Sequence, residues 1–82
     1  MNAAHQLQVL SRPECSLCDS MLAELTQLLG DRISQLQVID ITDDAALERK
    51  YGTRIPVLLI DDEFVCAYTL DHERLLAHIE RD

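Results

Sequence analysis

Two cysteines set three apart, Cys15 and Cys18, give this 82-residue sequence its clearest chemistry. The thiolate, not the thiol, is the nucleophile in disulfide exchange, so the surroundings of the sulfurs decide what they can do. A spacing of three on a helix puts two side chains one turn apart on the same side, close enough for a disulfide. The upstream sulfur can then face solvent while the second lies behind it. A helix start adds unpaired backbone N–H groups and partial positive charge, and both favour a thiolate. Glu14 and Asp19 oppose this, because nearby negative charge disfavours a second anion. The same spacing also builds half of many zinc sites. A structural zinc needs four ligands, and the remaining candidates are Cys66, His5, His72 and His78. None of these is paired with another at metal-ligand spacing, and His72 and His78 diverge on one expected helix. Redox chemistry is therefore the favoured reading, with zinc as its competitor.

The elements around the pair strengthen that reading. Gln6 to Leu10 is a short apolar run that reads as a strand, broken by Ser11, Arg12 and Pro13. Beyond it Met21, Leu22, Leu25, Leu28 and Leu29 trace one helical face, and Gly30 follows where helices commonly end in a left-handed turn. The cysteines thus fall in the first turn of a helix that leaves a strand directly. Leu36 to Ile41 reads as a second strand. Thr42, Asp43 and Asp44 offer cap oxygens for a short helix through Lys50, ended by Gly52. Ile55 to Ile60 is a continuous apolar run, as expected of a strand buried on both faces. Asp61 and Asp62 turn the chain, and Glu63 to Ala67 returns as hairpin partner. Asp71 caps a last helix with Leu75, Leu76 and Ile79 facing inward. The order is βαβαββα, an α/β fold with a four-stranded mixed sheet flanked by helices, over one domain spanning residues 1–82.

Ile55-Pro56 is the second signal. A proline removes a ladder hydrogen bond and is tolerated at a strand's first residue, which is one reading of Pro56. The other is a cis peptide that presents the Ile55 backbone beside the cysteines. The cis bond is the expectation carried forward. Arg12 and Arg54 read as solvated cations, yet each abuts a site element and so can hold an anionic substrate group. Cys66 reads as a buried strand cysteine, and Tyr51, Phe64 and Tyr68 as core or rim.

Composition narrows the function classes. Fifteen acidic against seven basic residues give a net charge of −8, which repels phosphate backbones and argues against nucleic acid. No stretch approaches the roughly 18 apolar residues that span a membrane. Met1 to Leu10 lacks the basic cluster and apolar run of a signal peptide, so a cytosolic location is expected, where thiols stay reduced.

Ser11-Arg12-Pro13-Glu14-Cys15-Ser16-Leu17-Cys18, then Arg54-Ile55-Pro56-Val57, then Phe64-Val65 before a final helix, resemble the glutaredoxins, and small bacterial glutaredoxin-like proteins above all. The resemblance covers nearly the whole chain. It implies the thioredoxin fold, with Cys15 as nucleophile and Cys18 as resolving thiol. It also implies that Arg12, Ile55 and Pro56 contact substrate. Departures from the pattern are specific. Ser16-Leu17 stands where glutaredoxins usually carry Pro-Tyr, and Arg54 stands where threonine usually precedes the Val-Pro pair. Cys66-Ala67-Tyr68-Thr69 replaces a Gly-Gly turn that lets glutathione approach the backbone. The expectation is a monomeric thiol-disulfide oxidoreductase with no tightly bound cofactor and poor handling of glutathione. Its partner would be a disulfide-containing protein or a small thiol. The alternative is a non-catalytic thioredoxin-fold module that binds a protein or a metal.

Overall fold

Residues 6–30 and 36–79 are described from a computed structural model. Strand β1 (Leu7–Ser11) leads into helix α1 (Ser16–Leu29), and strand β2 (Leu36–Asp40) follows. A 3-10 turn over Ile41–Asp43 then precedes helix α2 (Ala45–Tyr51). Strands β3 (Val57–Ile60) and β4 (Glu63–Ala67) form a hairpin, and helix α3 (His72–Ile79) closes the chain. The sheet order is β2-β1-β3-β4. β1 runs parallel to β2 and antiparallel to β3, which is antiparallel to β4. This is the expected βαβαββα mixed sheet. Among the described residues no helix is long and apolar enough to cross a membrane.

The alternation along the strands sorts the core into two layers. Leu7, Val9, Leu58 and Ile60 point to one face and meet Met21, Leu25 and Leu29 of α1 and Leu75 of α3. Leu10, Val57 and Leu59 point to the other and meet Ile41 and Tyr51. All four residues of β3 are buried, as the continuous apolar run implied. A register shift between Leu58 and Leu59 breaks the alternation in β4. It lets the consecutive residues Val65 and Cys66 both join the α1 and α3 layer.

Two inward assignments are corrected. Leu28 is 43% exposed and Leu76 is 47% exposed. In α1 the buried stripe runs through Cys18, Met21, Leu25 and Leu29, and Leu28 lies about 60° off its centre at 100° per residue. In α3 the stripe runs through Leu75 and Ile79, one residue being about 100° from the next, so Leu76 turns outward.

The turns carry the chain as its side chains direct. Asp61 and Asp62 take φ of 52° and 68°, the conformation a two-residue hairpin demands. The Asp61 carboxylate also accepts from the Gln6 N–H at 2.8 Å. Asp44 accepts from the N–H groups of Ala46 and Leu47 and so caps α2, while Asp71 accepts from the Arg74 N–H and caps α3. Gly30 has φ of 55°, but its ψ of −120° takes it beyond the ordinary left-handed helical region.

Candidate active site

The end of β1 sets the site. After Ser11 the chain turns through Arg12, Pro13 and Glu14, and Cys15 becomes the N-cap of α1, one residue before the helix proper. Serine, threonine, aspartate and asparagine usually fill that position with a side-chain oxygen. Here the Cys15 sulfur takes the part, accepting from the Cys18 N–H at 3.2 Å. Cys18 sits one turn on, buried at 2% exposure, while Cys15 is partly exposed. All three cysteines are free thiols.

The two buried thiols hold their protons. Burial, then a hydrogen bond with Cys15, pushes Cys18 from its ordinary 9.0 up to about 11, against a lowering hydrogen bond from the Arg12 backbone. Burial likewise pushes Cys66 up. A thiol raised on folding stabilises the fold below its unfolded pKa, and that stability is lost as pH rises through the folded value. Stability is therefore expected to fall between about pH 9 and about pH 11, at about 1.4 kcal/mol per pH unit for Cys18. Denaturant midpoints over that range for the native chain and for Cys18→Ser check this. An equal fall in both would show that Cys18 does not carry it.

The Ile55-Pro56 bond is cis, as expected, and Pro56 is buried. Val57 pairs with Leu10 of β1 and with Ala67 of β4. The residue before it therefore lies at the level of Ser11 on one side and Tyr68 on the other. The cysteine loop and Ile55-Pro56 thus share one end of the sheet. The Pro56 carbonyl accepts from the Tyr68 N–H at 2.9 Å, and the Tyr68 hydroxyl donates to the Thr53 carbonyl at 3.0 Å.

Arg12 is not the solvated cation the sequence suggested. Its guanidinium forks onto the Glu48 carboxylate, Nη2 to Oε1 at 2.7 Å and Nη1 to Oε2 at 3.2 Å. Nη2 also donates to the Gly52 carbonyl at 2.7 Å. The bidentate geometry suits arginine and ties the turn before Cys15 to α2. Arg54 is exposed beside Ile55. The histidines have other neighbours: His72 lies 3.8 Å from Glu24, and His78 lies between the Arg74 carbonyl and Glu63. His5 lies outside the described residues. Glu48 and Gly52 entered no site reading from sequence, and Tyr68 entered only within the Cys66–Thr69 turn that stands in place of paired glycines. Glu48 and Gly52 join the site through contacts 36 and 40 residues from Arg12, beyond any local spacing signal.

A family model for the Glutaredoxin-like domain (DUF836) matches residues 6–80. The chain belongs to this glutaredoxin-like family. Among solved relatives, a Nitrosomonas europaea protein determined by solution NMR is 33% identical, covering 98% of this chain and 96% of its own, with a TM-score of 0.87. An X. campestris protein determined by X-ray crystallography is 32% identical over 93% of this chain and 97% of its own, with a TM-score of 0.66. Oxidized glutaredoxin 2 from Chlamydomonas reinhardtii shares the fold at 19% identity and a TM-score of 0.58, covering 92% of this chain and 72% of its own. This glutaredoxin-like chain has the thioredoxin fold, with its Cys-x-x-Cys pair where the first strand meets the first helix.

Proposed function

We propose that the protein is a thiol-disulfide oxidoreductase that reduces disulfides by dithiol exchange, with Cys15 attacking and Cys18 resolving. The asymmetry of the pair carries this reading. Cys15 is partly exposed with a backbone N–H on its sulfur, and Cys18 is buried one turn behind it. Substrate docks along Ile55 beside the buried Pro56, with the exposed Arg54 meeting its negative charge and Arg12, paired with Glu48, holding the turn before Cys15. Two thiols carry both electrons, so the reaction calls for no resident cofactor. The substrate is a disulfide-bearing protein or small thiol, met by a monomer in the cytosol, where thiols stay reduced. Glutathione is a poor reactant, because it is an anion facing a chain of net charge −8, and side chains fill the Cys66–Thr69 turn.

Turnover of a protein disulfide by the pure chain, with glutathione or thioredoxin reductase as electron donor, tests the proposal. Mild oxidation beforehand should join Cys15 to Cys18 and leave Cys66 reduced on peptide mapping. Turnover is expected with at least one donor, and only slowly with glutathione mixed disulfides. No turnover with either donor, or a dominant link to Cys66, would overturn it.

A further inference from the structure

Tyr68 has a backbone conformation that its own side chain does not favour. Its φ is 69°, a region that costs a residue bearing a Cβ about 1–2 kcal/mol and that glycine enters freely. Such outliers persist only where surrounding contacts hold them, and they gather at functional sites. Two contacts hold this one. The Tyr68 N–H donates to the Pro56 carbonyl at 2.9 Å, and the Tyr68 hydroxyl donates to the Thr53 carbonyl at 3.0 Å. The side chain therefore spans from Pro56 back to Thr53, flanking Arg54 and Ile55. Yet the residue is 50% exposed, so its ring is anchored and still offers a face to solvent.

The register fixes what that face borders. Pro56 lies between the β1 side, from which the Cys15 loop leaves, and the β4 side, which ends at Tyr68. Ile55 is half-buried against the Val57 layer and precedes β3 outside its ladders, where another extended chain can pair with its backbone. A polypeptide laid along Ile55 with its sulfur on Cys15 meets Tyr68 on its far flank. Leu17, two residues after Cys15, is also exposed and adds a second apolar surface at this end.

We propose that Tyr68 is the specificity-determining residue of the exchange: its anchored ring walls the strip beside Ile55 and selects disulfides in extended polypeptides with an apolar side chain next to the half-cystine. This rests on the oxidoreductase reading above. In the reaction, Cys15 Sγ bonds one substrate sulfur as the substrate S–S bond breaks. The other sulfur leaves as a thiolate and takes a proton from water. Cys18 then gives up its proton and bonds Cys15 Sγ, releasing the second thiolate. Two electrons pass from the reduced pair to the substrate, so pre-reduced protein supplies the whole reductant.

Single-turnover reduction by the pre-reduced full chain tests this against three probes. These are a leucine-flanked peptide disulfide, glutathione disulfide and hydroxyethyl disulfide, which is small and uncharged. Tyr68→Asn keeps a residue that tolerates positive φ but removes the ring. It should weaken peptide affinity about tenfold and leave hydroxyethyl disulfide within about twofold, as loss of one apolar contact predicts. Tyr68→Phe keeps the ring and should retain most of the peptide preference. Tyr68→Gly, suited to this backbone, repeats the Asn test if that variant folds poorly. An unchanged ratio of peptide to glutathione rates in both ring-less variants would overturn the assignment. So would an equal loss on all three probes, which marks a structural role alone. Inertness of the native chain toward every probe would instead refute the parent reading, and the assignment with it.

Discussion

Cys15→Ser is expected to abolish disulfide exchange, lowering the rate at least about a thousandfold, while Cys18→Ser stops it halfway. The difference follows from the protons. With its pKa raised to about 11, Cys18 is a thiolate in only about one molecule in ten thousand at pH 7, and it is buried as well. It cannot open the reaction. Part of the rise comes from Cys15 itself, through their hydrogen bond and its charge. On the proposed mechanism, capping Cys15 in a mixed disulfide removes its charge, while burial, the largest cause of the rise, stays. Mass spectrometry of Cys18→Ser mixed with a peptide disulfide should find the peptide covalently on Cys15. Retained exchange in Cys15→Ser, or a peptide found on Cys66, would reverse these roles.

Gly52→Ala is expected to cost about 1–3 kcal/mol, a large share of the roughly 4–12 kcal/mol that a domain of this size holds. The cause is space and not conformation, since Gly52 has an ordinary helical φ of −55°. A Cβ there would press on the Glu48 carbonyl, lie 2.8 Å from Glu48 Oε1 and 3.0 Å from Arg12 Nη2. The Glu48 carbonyl is backbone and cannot swing aside. The methyl group therefore pries at the bond that closes α2 and at the fork holding Arg12. Because Arg12 precedes the cysteine turn, exchange with a small disulfide should slow as well. Gly30→Ala is the contrast: nothing stands within 4 Å, and its penalty comes only from the positive φ of 55°. Denaturant melts of both variants, with Glu48→Ala in a double-mutant cycle against Gly52→Ala, separate the two mechanisms. Additive costs for Glu48 and Gly52 would show that the methyl group does not act through the fork.

The order of elements was legible because strand and helix periods differ so plainly here. The β3 run of Val57 to Ile60, the Asp61-Asp62 turn and the caps at Asp44 and Asp71 all stand where local chemistry puts them. Leu28 and Leu76 misled because apolar identity was taken for inward direction, whereas a helix this short buries only a narrow stripe. The cysteine pair was legible from its spacing, whereas Pro56 at the start of a buried strand allowed two readings and only the resemblance to the glutaredoxin motif favoured the cis bond that is found. Arg12 was not, because its partners lie 36 and 40 residues away on another layer. The backbone of Tyr68 was hidden for a different reason. Positive φ announces itself through glycine, asparagine or aspartate, and tyrosine gives no such sign.

The middle of the sheet joins what a thinner design would leave separate. Alternate residues of β3 serve opposite layers, Leu58 and Ile60 one and Val57 and Leu59 the other. Loosening either layer disturbs the strand on which the other packs, so the described residues are expected to unfold together. Pro56 opens that strand and Cys15 hangs from the strand beside it. The end of the sheet that carries Cys15 and Pro56 is therefore fastened to strands whose amides are expected to exchange among the slowest.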